Sequence, residues 1–412
     1  MKLAAGALNY ALFVGVITAI LCFLMIQLVF FNRQLFYQLD KQERVLDNSL
    51  SGIAYGLAND PLYDQWVDLF EEDQDSVKVK TQYLGLFKLV TSTAKEGSFS
   101  KSRAALFGFK SAKYASRALV LEDQKGPLKL AGEALIKGDA YLSPKGCESA
   151  YIEGKNYSRA QHIYGKQQLA GRQLPEVDQV AVKRAFLRLK QEAVQGDTLL
   201  PYAALVERAK QAFWSSTLVA SEKGKLRIGE MLNGNIVVKA SKRITVLKEA
   251  QLENVCLVAP EIVIESGFKG KLHLIASDSI IQKPGSRLLY PSSAILLCKN
   301  TVNEGQIRLY EQTVFEGLIY YNSSTKRPKN IAHVRVDEGA VVNGQVYANK
   351  NVMLRGSING SLIATSLILI TQSGIYQNHL LDGKVDRTKL IEDFAGLFMR
   401  GEKGQPELIQ WL

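Results

Sequence analysis

The 412 residues include only four cysteines (Cys22, Cys147, Cys256, Cys298), four histidines and three tryptophans. No two cysteines form a C-x-x-C pair, which excludes a zinc ribbon, and four are too few to build a disulfide scaffold. His162, His273, His333 and His379 are isolated in the sequence and make no H-E-x-x-H or other metal spacing. Runs of five or more like charges are missing as well. The excess of 51 Lys and Arg over 40 Asp and Glu, +11 in all, is spread along the chain. It reads as a solvated surface, with no specific nucleic-acid partner expected. Hydrophobic residues at 47% and charged residues at 22% are the balance of a folded chain of two or three domains.

One long apolar run stands out. Tyr10 to Phe31 (YALFVGVITAILCFLMIQLVFF) is twenty-two residues without a charge, enough to cross about 30 Å of hydrocarbon as a helix. A cleaved signal peptide has a shorter apolar core and a small-x-small site after it, whereas Asn32, Arg33, Gln34 and bulky residues follow here. An uncleaved anchor contacting membrane lipid through residues 10–31 is expected. Lys2 precedes it and Arg33, Lys41 and Arg44 follow it, so the count of positive charges leaves the orientation open. A short head before a long following domain favours a single-pass inner-membrane protein with its C-terminal domain periplasmic. Beyond the anchor, Leu35, Leu39, Val45, Leu46, Leu50 and Ile53 recur at three- and four-residue steps, which predicts a helical stalk.

This layout, an apolar helix continuing into a stalk and then strands, resembles the type IV pilins and pseudopilins over about 100 residues. In that family a Gly precedes the processing point and a Glu follows five residues later. Gly6 matches the Gly, but Ala11 stands where the Glu belongs, which puts both processing at Gly6 and filament assembly in doubt.

The C-terminal half repeats. Ile244–Glu261, Ile262–Ser279 and the segment from Ile280 restart at intervals of eighteen, aligning Ile244, Ile262 and Ile280, Val246 with Ile264, and Leu257 with Ile275. The pattern returns at Val334–Asn351 and from Val352, with Asn343-Gly344 and Asn359-Gly360 read as equivalent turns. Short alternating apolar runs between Gly, Asn, Ser and Pro are strands, and stacking them at about 4.8 Å buries the repeated aliphatics in one spine. The expected fold class is mainly β: a single N-terminal transmembrane helix and stalk followed by a right-handed parallel β-helix with a helical insertion. A β-sandwich with regular spacing is the alternative. Cys256 falls in the column of Leu274 and reads as a small core hydrophobe.

Gly339 to Leu369 (GAVVNGQVYANKNVMLRGSINGSLIATSLIL) resembles the bactofilins, whose β-helix coils repeat a Gly-x-Val-x-Ala rhythm and polymerise end to end without nucleotide. Most of the chain is also similar to uncharacterised membrane-anchored envelope proteins of Bacteroidota, through Pro127–Tyr141, Tyr151–Tyr157 and Phe268–Ser279. That resemblance implies architecture and no activity.

Alternation over Ser76–Phe109, with Gly97-Ser98 as a turn, predicts an antiparallel sheet, and Ala118–Ile152 predicts short strands that form either a first coil or a small sheet. Val182, Phe186, Leu189 and Ala193 share a helical face within Glu176–Val194, pairing with a second helix at Tyr202–Phe213; together they read as an insertion between coils. The expected domains are the tail and anchor 1–31, the stalk 32–60, a strand-rich region 61–160, a helical insertion 161–220, the β-helix 221–382, and a tail or cap 383–412.

Chemistry on a β-helix groove needs converging carboxylates. In the repeat register Glu261 meets Ser279 and Glu265 meets Lys283, so no carboxylate ladder forms. Ser98/Lys101 and Ser323/Lys326 match S-x-x-K without companion motifs. Gly267–Lys271 (GFKGK) lacks phosphate-loop spacing, and no helix is expected after it. No catalytic, cofactor-binding or metal residue is therefore expected. The leading expectation is a non-enzymatic membrane-anchored scaffold of the cell envelope, with a protein partner or self-association and an anionic polysaccharide as a further partner. The alternatives are a pseudopilin-like minor subunit of a type IV pilus, secretion or competence filament, and a carbohydrate-active β-helix protein.

Overall fold

Twenty-two uncharged residues in a row favour a helix, and in the computed structural model that helix runs on well past them. The structure describes residues 5–61, 65–68, 75–111, 116–298, 304–325, 331–401 and 404–412. The chain is mainly β with this one long apolar helix, α1 (Ala5–Asn59). It divides into two compact units, Met1–Lys80 with Thr91–Arg103, and Thr81–Val90 with Ala104–Leu412.

In the first unit α1 is 55 residues long, about 80 Å at 1.5 Å per residue. Every large apolar side chain from Leu8 to Leu39 is exposed. A buried stripe then begins, with Val45, Asn48, Ser49, Gly52, Ile53 and Gly56 at steps of three and four. Of the leucines expected to mark this face, Leu46 is only half-buried and Leu50 is exposed. Small residues make the face because strands come very close. A Cβ on Gly52 would lie 2.2 Å from Ser92 Oγ and 2.6 Å from Val77 Cγ1. Buried Glu96 receives Arg44 Nη2 at 2.9 Å and Lys41 Nζ at 3.5 Å. The hydrogen-bonding Arg44 guanidinium, above all, holds the Glu96 carboxyl below its usual range.

The alternation at Ser76–Phe109 becomes two hairpins, with strands Asp75–Leu84, Phe87–Glu96 and Phe99–Lys110 joined at Gly85-Leu86 and Gly97-Ser98. Gln65–Val67 and Gln405–Trp411 flank them to give a five-stranded sheet. The C-terminal segment 383–412 thus supplies an edge strand, Leu408 pairing antiparallel with Phe107.

The second unit is dominated by strands paired in parallel, layer upon layer. Leu226, Ile244, Ile262, Ile280, Ile307, Val334, Val352 and Leu367 pair successively in one column. A longer inner column runs Ala220, Val238, Leu257, Leu274, Ala294, Ile319, Val346, Leu362, then Leu119 and Ala140. Each large aliphatic buried here contributes about 1.5–3 kcal/mol.

The spacing departs from eighteen in several layers, reaching 27 residues from Ile280 to Ile307 and from Ile307 to Val334, and within the first copies the register slips by one between Val255 and Ala259. Cys256 pairs with His273, and Leu257 with Leu274 rather than Ile275. Asn254, at φ 57, absorbs one residue in a bulge between Glu253 and Val255. Cys256 therefore faces away from the inner column, yet it remains 5% exposed within a second apolar cluster, and burial pushes its thiol up to about 11. The Asn-Gly pairs are not turns. Asn343 pairs with Asn359 and Gly344 with Gly360 inside strands Val341–Leu354 and Ser357–Ile370. Gly317, Gly344 and Gly360 form a column of left-handed glycines, at φ 140, 156 and 151.

The order of layers corrects the insertion reading. Strands Arg117–Leu121 and Asp139–Leu142 do not precede the layer at Thr217–Glu222; they stack beyond Ser357–Ile370, the far end of the repeat. Gln167–Leu169 then stacks on Asp139–Leu142. The segment from 170 to 210 consequently returns the chain to the first layer instead of interrupting neighbouring coils. It holds α2 (Gln179–Lys190) and α3 (Tyr202–Arg208), both shorter than their apolar periodicity suggests. Asp178 caps α2, accepting from Val180 N at 3.1 Å, and buried Ala181, Val182 and Ala185 face the second cluster. The amine of Lys239 donates to the carbonyls of Arg188 and Gln191, satisfying orphaned groups at the end of α2. Burial lowers the Lys239 pKa. Ala209 in a left-handed conformation ends α3. Leu205 of α3 is fully buried in the inner core, closing the first layer.

Candidate functional site

The four histidines are placed separately. His162 lies 2.9 Å from Ser149 Oγ and beside the Tyr157 ring, and His379 Nδ1 meets the Gln377 carbonyl at 2.6 Å. His333 is buried with Nε2 2.6 Å from Glu304 Oε2 and the Tyr321 ring 5.3 Å away. Burial lowers its pKa against the pull of Glu304. His273 is wholly buried, its Nδ1 3.0 Å from Ser293 Oγ and its ring edge-on to Phe87. A serine beside a histidine is suggestive of nucleophilic chemistry, but neither atom is reachable by solvent, so the pair orders the packing instead.

Burial drives the His273 pKa down to about 3, whereas an unfolded imidazole titrates near ~6.5. The folded-state value is the depressed one, so this contribution is present above the unfolded pKa and lost as pH falls. At a pH of about 4 the loss from His273 is roughly 3 kcal/mol. Urea unfolding at neutral and acidic pH checks this: His273→Asn is expected to lose much less stability on acidification than the parent chain.

Carboxylates on the stack meet cations one layer away. Glu253 pairs with Lys271 at 3.0 Å and Glu265 with Lys283 at 2.8 Å, while Arg243 reaches Glu261 at 2.5 Å. Such exposed pairs stabilise little. Asp337 is shared by Arg308 and Arg335. Among the described residues, no three His, Cys, Asp or Glu side chains gather as a metal site. Ser98 is exposed in its turn with Lys101 on the following strand. Lys326 lies outside the described residues. Gly267–Lys271 is a turn leading into strand Lys269–Gln282.

The sequence motifs miss a concavity in the second unit, a cavity of about 480 Å3. Its floor is Gln345 and Ser361, successive members of one outward column. The segment after strand Lys384–Asp386 roofs it, fastened by Gln345 Oε1 accepting from Leu397 N at 3.0 Å. Phe394, Leu397 and Met399 are buried, and Lys110, Arg387 and Glu392 supply the charge. Lys110 and Arg387 are 277 positions apart in sequence, so no local pattern signals the pair.

No protein-family model and no curated protein matches the chain. Among solved structures, the crystal structure of the competence-associated pilin ComZ from Thermus thermophilus is similar at 11% identity and a TM-score of 0.25, covering 85% of this chain and 86% of that one.

Proposed function

We propose that this chain is a single-pass, membrane-anchored structural protein whose parallel stack is a right-handed β-helix presented in the cell envelope outside the cytoplasmic membrane. The observation that carries this reading is the bare part of α1: from Leu8 to Leu39 its apolar side chains are exposed on all faces, and the helix is long and apolar enough to span a bilayer. Eight or more layers in register support a rigid element, and we assign it no catalysis. Its proposed partner is a protein of the envelope or another copy.

The test is extraction. The full chain is expected to stay in the membrane pellet through an alkaline carbonate wash, and a variant lacking 5–39 is expected to move to the soluble fraction with its β circular-dichroism signal kept. Release of the full chain by carbonate would overturn the anchor.

A second reading, a pilin-like filament subunit, is favoured by one feature of the first unit. There α1 is bare through Leu39 and packs onto hairpin strands from Val45 onward, the division of labour expected of a helix that bundles with others. A mature N-terminus at Ala7 would support it; an intact head would oppose it.

A further inference from the structure

The cavity beneath the 387–399 segment combines two properties that a packing defect does not need. Its lining brings large apolar side chains together with two cations. Phe109, Leu390, Phe394, Leu397 and Met399 line it together with Arg387 and Lys110. Its origin can be followed along the outward column, where Leu318 pairs with Gln345 and Gln345 with Ser361. The side chain shrinks at Ser361 while the covering segment keeps its height, since Gln345 holds Leu397 N above it. A void is left between the two.

We propose that this cavity binds an amphipathic anion, a single hydrocarbon tail bearing a carboxylate head. The head would lie against Arg387 and Lys110, and the tail along Phe394, Leu397 and Met399. The volume falls within the roughly 300–1,000 Å3 of small-molecule sites, where apolar walls supply affinity and a few polar groups orient the ligand. Burial of the Arg387 guanidinium lowers its pKa, so an incoming carboxylate meets a partly desolvated cation, where charge-assisted hydrogen bonds are strongest. Lys110 has Glu407 at 3.9 Å with both side chains partly exposed, a loose pairing that a ligand head displaces at little cost. Thr388 contributes no head contact, its hydroxyl being committed to Asp386 at 2.7 Å. Glu392, exposed at the rim, disfavours a doubly charged head.

The proposal is independent of the anchor's role and is tested on the full chain in neutral-lipid nanodiscs, with octanoate as probe and octanol as its uncharged counterpart. Calorimetric titration, with empty discs subtracted, is expected to give one saturable site for octanoate. Arg387→Gln is expected to weaken it at least tenfold and Lys110→Gln several-fold. Octanol is expected to bind at least tenfold more weakly than octanoate. Because Lys110 is exposed, Lys110→Gln keeps the test valid if the Arg387 variant misfolds. Absence of saturable heat above empty discs, equal affinity for octanol and octanoate, or unchanged affinity in a folded Lys110→Gln would each overturn the proposal.

Discussion

A valine at position 344 is expected to cost the second unit about 2–6 kcal/mol, summing backbone strain of about 1–3 with overpacking of similar size. Gly344 sits at φ 156, and a Cβ there would fall 1.9 Å from the carbonyl oxygen of Gly317. The next layer offers no relief, because a Cβ on Gly360 would meet the Gly344 carbonyl at the same 1.9 Å. Accommodating one side chain therefore means separating two layers and losing parallel hydrogen bonds on both sides. Asn343→Ala is the matched control. It removes hydrogen bonds to Glu316 at 3.2 Å and Asn359 at 2.8 Å, worth about 1–2 kcal/mol together, and leaves the backbone alone. Guanidinium unfolding of both variants reads the difference. Equal midpoints for Gly344→Val and the parent would mean that the layers do not approach as described.

Leu205→Asp is the second change with a large effect. Leu205 is fully buried in the inner core and is the residue by which α3 closes the first layer. A carboxylate there must be protonated or expelled, costing about 4 kcal/mol or more. Strand Thr217–Glu222 is paired on both sides, by Asp197–Leu200 and Ile236–Ala240, so expulsion that lifts α3 uncovers Leu218 and the apolar end of the inner core. Exposed apolar surface recruits other copies, so sedimentation of the full chain in detergent is expected to change from one species to a concentration-dependent series. Leu199→Asp, at a position already 52% exposed, is expected to do neither. Persistence of a single species for a destabilised Leu205→Asp would show that the closed end does not limit association.

The aliphatic columns were legible because Ile244, Ile262 and Ile280 repeat at a fixed interval and β-branched residues at such an interval have few other uses. The Asn254 bulge was not, since a single residue in a left-handed turn alters the register without altering composition. The stripe of α1 escaped periodicity for a different reason: close approach of strands selects Ser49, Gly52 and Gly56, which carry no hydrophobic signal. α2 and α3 stopped short of their apolar pattern because Lys239 and Ala209, one remote and one local, end them. Pairings between distant segments, such as Lys110 with Arg387 or His333 with Glu304, depend on tertiary proximity alone.

Stacking of Leu119 on Leu362 sets the timetable of folding. These partners are about 240 positions apart, so at roughly 5–20 residues per second a ribosome takes some 12–50 s to deliver the second after the first. During that interval the early strands have only one another to pair with, and the sequence separation makes their eventual capture on the stack slow. A chain interrupted before residue 362 would retain most of its aliphatic columns yet lack the surface on which Arg117–Leu121 and Asp139–Leu142 come to rest. The earliest-made strands of the stack are thus among the last to find their seats.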